Sequence, residues 1–249
     1  MRLNPVRVAR SSVAIGSLGV GFAAGATAAA INGSRRSGAN LMSVVGTELA
    51  LAAAGVTLNV QGEENLWSHR PAIFVFNHQS QFDMPIMGAL LRKDFTGVAK
   101  RSLQANPVFG PIGYLARVAF IDRSDPEAAR EALEPVVKAL KEGTSLAVAP
   151  EGTRSGTGDL LPFKKGPFHM AIQGQVAMVP VVIRNAGEIM TPHSYVINPG
   201  TVDVVVLPPI DTSDWTTQTV GRHRDAVREM YVQTLANWPR SDESTHTPG

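Results

Sequence analysis

The chain has 249 residues, 44% hydrophobic and 18% charged, which is enough apolar material for a substantial core and excludes disorder of the whole. There is no cysteine, so a disulfide framework, a thiolate metal site and a cysteine nucleophile are excluded. The formal charge of +2 is unevenly spread: residues 1–36 carry Arg2, Arg7, Arg10, Arg35 and Arg36 and no acid, leaving 18 basic against 21 acidic residues beyond them. That distribution argues against a nucleic-acid partner and suits a basic, apolar N-terminus that meets an anionic membrane surface.

From Ser11 to Ser34 no side chain is charged, and a helix over this stretch is about 36 Å long, comparable to a bilayer's hydrocarbon core. The stretch is rich in Ala and Gly and poor in Leu. A second apolar stretch, Leu41–Val60, is interrupted by Glu48, and Arg35, Arg36 and Gly38 separate the two. The pattern predicts a pair of helices joined by a basic turn. Three readings compete: a signal peptide with small-residue cleavage sites near Ala26–Ala30, a spanning helix, and a helical hairpin lying in the cytoplasmic leaflet with its arginines reaching phosphates. The third is favoured, because it calls for a cytoplasmic domain and the remaining sequence has that character. The expected division is a membrane element over 1–58, a catalytic domain over 59–238 and a disordered tail over 239–249.

Beyond Gly62 strands alternate with helices. Ala72–Phe76 is a short apolar run ending in Asn77-His78; Asp83–Arg92 reads as a helix and Phe95–Ala99 as a strand. Pro107–Arg117 is a Gly/Pro-punctuated loop and short helix, and Val118–Ile121 is strand-like. Asp125–Glu142 is the clearest helix, with Asp125 or Ser124 as cap, Pro126 in the first turn and Gly143 at the end. Ser145–Ala149, Ala177–Ile183 and Val202–Leu207 are strands, and Arg222–Asn237 is a final helix. Near-continuous apolar strands in alternation with helices predict an α/β fold: a mixed, mostly parallel sheet flanked by helices. Chemistry in such sheets gathers at the carboxyl ends of the strands.

Three polar clusters fall at such ends. His78 and Asp83 form an HxxxxD pattern. Residues five apart lie on different faces of a helix, so the two meet only if His78 precedes the helix and Asp83 sits in its first turn. The carboxylate then fixes the imidazole tautomer and leaves the other nitrogen free as a general base. Glu151-Gly152-Thr153-Arg154-Ser155, with Gly156 and Gly158 behind, suits an anion site, since Arg offers a two-pronged donor and hydroxyls and amides add to it. Lys100-Arg101 follows a strand, and Lys164-Lys165 precedes Gly166; both pairs read as surface charge unless the substrate carries phosphate. His69, His169, His193, His223 and His246 have no motif partner and read as structural or solvated.

In order, Asn77-His78-x-Ser80-x-x-Asp83, a Lys100-initiated segment ending in Ile121-Asp122-Arg123, Pro150–Ser155, and Val179-Pro180-Val181-Val182 resemble the four blocks of the glycerophospholipid acyltransferases. The chain looks most like the PlsC-like 1-acylglycerol-3-phosphate acyltransferases, from about Gly62 to Ile210. Two positions depart from the pattern: Ala149 stands where an aromatic commonly precedes Pro-Glu-Gly, and Arg117 stands near a position often held by Gly.

The resemblance implies transfer of a fatty acyl group from a thioester, on CoA or acyl-carrier protein, to the free hydroxyl of lysophosphatidic acid. His78 would be the base, oriented by Asp83. Arg154 would bind the acceptor phosphate, with Thr153, Ser155 and Lys100 as further donors. Glu151 would orient Arg154 or bond a glycerol hydroxyl. An amide near Gly152 or the Lys100 ammonium would meet the oxyanion. No cofactor is implied, no ligand spacing suggests a metal, and the absence of a G-x-S-x-G elbow points to direct attack by the acceptor. Membrane association at the cytoplasmic face, peripheral or monotopic, is implied too. Other acceptors in the same family (glycerol-3-phosphate, a lysophospholipid, a glycolipid), or a non-catalytic membrane lipid-binding protein, stay open.

Overall fold

The apolar runs become neighbours in one seven-stranded sheet. In the computed structural model, which describes residues 5–122, 125–155, 159–191 and 194–239, the strands are β1 (Val56–Gln61), β2 (Ala72–Phe76), β3 (Phe95–Lys100), β4 (Ala119–Ile121), β5 (Ser145–Val148), β6 (Ala177–Ile183) and β7 (Gly200–Val206). They lie in the order β1-β7-β6-β2-β5-β3-β4. β6, β2, β5, β3 and β4 are parallel; β7 is antiparallel to β6, and β1 runs parallel to β7. The mixed, mostly parallel sheet is as expected.

The helices are α1 (Pro5–Asn32), α2 (Arg35–Ala54), α3 (Asn65–Ser68), α4 (Asp83–Leu91), α5 (Phe109–Leu115), α6 (Pro126–Lys141), α7 (Gly166–Gly174), α8 (Ala186–Ile189) and α9 (Val220–Ala236). Strand alternation sends Phe74, Phe76, Val179 and Val181 to one face of the sheet, against Ile86, Met87 and Leu90 of α4 and Leu51 of α2. Ile73, Val75, Met178 and Val182 point the other way, onto Val136 and Leu140 of α6, Phe168 of α7 and Tyr231 of α9. Both faces are covered, which is why the central strands read as continuous apolar runs. The capping of α6 is as expected, with Asp125 Oδ1 accepting the Ala128 N–H at 3.0 Å. The sequence of 240–249, with His246, lies outside the described residues, as do Arg2, Arg123, Ser124, Gly156, Gly158 and His193.

The N-terminal region forms the expected pair of helices, α1 and α2, with Arg35 and Arg36 at their junction, but the second differs in extent. Leu41–Val60 is not one helix: Gly55, in the left-handed conformation at φ 68°, ends α2, and Val56–Gln61 turns into β1, paired with β7. The strand straddles residue 58, so the chain enters the sheet before the expected boundary. Nor is α2 simply a membrane element. Arg36 Nε donates to Asp94 Oδ1 at 2.6 Å, Asn40 Nδ2 donates to the same oxygen at 3.0 Å, and Ser43 Oγ donates to the Gly88 carbonyl at 3.2 Å. Arg92 pairs with Glu48 at 2.8 Å. These bonds lay α2 along α4, the helix that begins with Asp83.

α1 packs on α2 through glycines. A Cβ on Gly25 would come 2.6 Å from the Met42 Cβ, and one on Gly21 would come 2.8 Å from the Met42 carbonyl oxygen, closer than real side chains tolerate. Space of a different kind surrounds Gly19, where a Cβ meets nothing. Gly25→Val is therefore expected to cost about 1–3 kcal/mol through overpacking, whereas Gly19→Ala is expected to gain about 0.5–1 kcal/mol from helix propensity. Thermal melting of the two variants checks the opposite signs.

Arg117 has φ +56°, a conformation that glycine adopts at no steric cost, and Thr96 Oγ1 holds its carbonyl at 2.8 Å. The departure from glycine noted in the sequence thus falls at a backbone position that favours glycine.

Candidate active site

The parallel arrangement brings the carboxyl ends of β2, β5 and β3 to one edge of the sheet. At the end of β2, Asn77 prolongs the pairing with β6 by using its side chain as a rung: Nδ2 donates to the Ile183 carbonyl and Oδ1 accepts the Ile183 N–H, each at 2.7 Å. The chain then turns, and α4 begins at Asp83. The aspartate Oδ2 accepts from His78 Nδ1 at 2.7 Å, from the Gln79 N–H at 2.8 Å and from the Ser80 N–H at 2.9 Å. His78 and Asp83 therefore meet as the spacing required, with the histidine in the turn before the helix.

Asp83 is fully buried and its Oδ1 has no hydrogen-bond partner. Burial pushes its carboxyl up from the ordinary 3.8, while the bonds from His78, Ser80 and Gln79 oppose this. The His78 side chain keeps 22% of its surface exposed and stands edge-on to Phe76. With Nδ1 donating to Asp83, Nε2 is the basic nitrogen, and it has no hydrogen bond among the described residues.

Glu151, from the loop after β5, lies against this turn. Its Oε1 accepts the His78 backbone N–H at 2.6 Å and its Oε2 accepts the Leu161 N–H at 2.8 Å. The expectation that Glu151 orients Arg154 is corrected: the two side chains make no ion pair, and the carboxylate accepts backbone N–H groups instead, tying the histidine turn to the 160s loop. Glu151 is 3% exposed, and burial raises its carboxyl above the ordinary range against those two bonds.

Gly152 also changes role. Its N–H donates to the Ala149 carbonyl at 3.1 Å, so it is not free to meet an oxyanion, and its φ of +70° makes the turn. Ser155 is buried. Thr153 is exposed, and Arg154, half-buried, has no hydrogen bond or ion pair among the described residues. Lys100 ends β3, which runs parallel to β5, so it is exposed at the same carboxyl end of the sheet. His78, Asp83, Thr153, Arg154 and Lys100 thus share one edge. Among the described residues no three His, Asp or Glu side chains converge as a metal-binding group.

The family model described as Acyltransferase matches residues 57–184, from β1 through β6, and so encloses every one of these side chains. The chain belongs to the acyltransferase family. Proteins similar to this chain include the 1-acyl-sn-glycerol-3-phosphate acyltransferase of Saccharomyces cerevisiae, 39% identical over 184 residues (73% of this chain, 60% of that protein). Another is the enzyme of the same name from Cocos nucifera, 34% identical over 197 residues (79% and 63%). A third is 1-acyl-sn-glycerol-3-phosphate acyltransferase beta of Homo sapiens, 36% identical over 167 residues (67% and 60%). The chain spans 60–63% of the length of these relatives. The crystal structure of the 1-acyl-sn-glycerophosphate acyltransferase PlsC from Thermotoga maritima shares the fold, with a TM-score of 0.69, 22% identity, and coverage of 90% of this chain and 97% of that one.

Two supports of this site carry no motif. The buried Tyr231 hydroxyl of α9 donates to the Val75 carbonyl at 2.6 Å and accepts the Val181 N–H at 3.2 Å, joining β2 to β6 just before the turn that carries His78. From the same helix, Arg228 holds the Leu160 and Leu161 carbonyls at 2.8 and 3.2 Å, and Leu161 is the residue that Glu151 grips. The sequence signal was only that a tyrosine and an arginine occur in an amphipathic final helix. Of the remaining histidines, His69 bonds Ser68 and His223 stacks on Trp215 with centroids 4.5 Å apart, which fits their structural reading.

Proposed function

We propose that the chain transfers a fatty acyl group from an acyl thioester, carried on CoA or acyl-carrier protein, to the sn-2 hydroxyl of 1-acylglycerol-3-phosphate, giving phosphatidic acid. The observation that carries this reading is the 2.7 Å bond between His78 Nδ1 and Asp83 Oδ2, which leaves Nε2 open on the edge where Arg154 is unpaired. An alcohol is a poor nucleophile at neutral pH. As its oxygen attacks the thioester carbonyl, His78 Nε2 takes the hydroxyl proton, and Asp83 stabilises the imidazolium that forms. The tetrahedral intermediate collapses with cleavage of the carbon–sulfur bond, and the thiolate leaves with the proton that His78 returns. The Lys100 ammonium and the amides of Thr153 and Arg154 are the donors open to the oxyanion. Relatives named 1-acyl-sn-glycerol-3-phosphate acyltransferase support the choice of acceptor.

Membrane attachment at the cytoplasmic face belongs to the same reading. α1 is long and apolar enough to cross a bilayer. Val6, Val13 and Val20, all more than half exposed and seven residues apart, form one apolar line along it. With its small-residue face against α2, that line is the part left to lie among acyl chains.

The test supplies acyl-CoA and acyl-carrier-protein thioesters separately to the full chain in lipid vesicles, with a pool of lyso-acceptors, and reads products by mass spectrometry. Phosphatidic acid acylated at sn-2 is expected; product from another acceptor alone reassigns the substrate. Arg154→Ala is expected to weaken use of lysophosphatidic acid on the order of tenfold to a hundredfold more than use of an uncharged monoacylglycerol, as loss of a charge-assisted contact predicts. Equal losses on both would reassign Arg154.

A further inference from the structure

The turn that carries Arg154 holds a second cation. Because Gly152 has φ +70° and no side chain, Lys164 lies across it: a Cβ at residue 152 would come 3.1 Å from Lys164 Cε and 3.7 Å from Nζ. The Lys164 N–H donates to the Pro150 carbonyl at 2.8 Å, pinning the root of the side chain to the segment that leads into the turn. Lys164 is exposed, and its ammonium has no hydrogen bond or ion pair among the described residues. The adjacent carboxylate of Glu151 is directed to the His78 and Leu161 amides and makes no ion pair with it. α7 starts two residues later and leads from the carboxyl end of β5 to the start of β6, so its partially positive N-terminal end faces the same edge.

We infer that Lys164 is a binding residue for the acceptor's headgroup, and that the group it selects is a phosphomonoester. This rests on the proposed acceptor. A phosphomonoester carries about −1.5 to −2 charges at neutral pH, more than one guanidinium balances, whereas a phosphodiester carries a single charge and a substituent on the oxygen that Lys164 would meet. Lys164, lying across Gly152, and Arg154, two residues further along the same turn, are two cations carried by the segment that follows Glu151, whose carboxylate bonds the His78 turn. The headgroup is gripped there while the hydroxyl is presented to His78.

The experiment compares the full chain with Lys164→Met and Lys164→Arg in neutral detergent micelles. It measures kcat/KM for lysophosphatidic acid, a lysophosphodiester and an uncharged monoacylglycerol, and separately the equilibrium binding of lysophosphatidic acid without thioester. Lys164→Met is expected to lower the preference for the phosphomonoester over both other acceptors roughly tenfold, mainly through KM, and to weaken binding to the same degree; Lys164→Arg is expected to restore most of both. An unchanged preference, equal losses on all three acceptors, or no recovery with arginine would overturn the inference. Should the unaltered chain turn over none of the acceptors, the acyl-transfer reading falls, and the binding measurement still decides the role of Lys164.

Discussion

Replacing His78 with alanine is expected to slow acyl transfer by about 10²–10⁴ while the fold persists, because a positioned base contributes on that scale. The fold should persist for a specific reason. Glu151 holds residue 78 through its backbone N–H, which alanine retains, and Asp83 keeps the Gln79 and Ser80 amides. The ring itself is partly exposed and packs only edge-on against Phe76. Initial rates with a saturating thioester, together with a thermal melt, separate the two effects. A variant that melts normally and turns over at the full rate would remove the base from the mechanism.

Asp83→Asn is expected to give the second large loss, roughly 10²–10⁴ in rate, for another reason: the amide no longer stabilises the imidazolium. Its effect on stability should have the opposite sign. The aspartate Oδ2 takes all three hydrogen bonds and Oδ1 takes none, so an asparagine oxygen can keep the three acceptor contacts with its NH₂ in the position of Oδ1. Burial holds the carboxyl above its ordinary 3.8 in the folded protein. A carboxyl raised in this way favours folding fully below its unfolded value, and that contribution is lost as the pH rises through the folded value. At neutral pH the ionised carboxylate therefore opposes folding, and Asp83→Asn should melt at the same temperature as the unaltered protein or higher. The variant's advantage should be largest at neutral pH and shrink as the pH falls through the raised folded value toward 3.8, since the folded parent protonates the same group within that window. A melt that drops by many degrees at neutral pH would mean that the charge supports the fold. The raised carboxyls of Asp83 and Glu151 also take up protons before exposed acids do.

His78 and Asp83 were legible in the sequence because their meeting depends on local geometry: five residues, one turn and the first turn of a helix. The strands were legible because a sheet covered on both faces makes each strand apolar throughout, as in Ala72–Phe76 and Ala177–Ile183. The start of β1 was not, since Val56–Val60 continues an apolar stretch, and what makes it a strand is pairing with β7, 144 residues away. The same limit hid the true partners of Glu151. Glutamate beside arginine in a chain suggests an ion pair, whereas the fold brings the Leu161 and His78 amides within reach of its two oxygens.

Composition, periodicity and the order of short motifs determined the sheet-and-helix class, the family and the meeting of His78 with Asp83, because each is set by residues near one another along the chain. Which face of α2 packs on α4, which amides are spent and which stay open, and where Lys164 comes to rest were decided by the tertiary structure alone. Such contacts join segments far apart in sequence, and no local pattern encodes the distance between them.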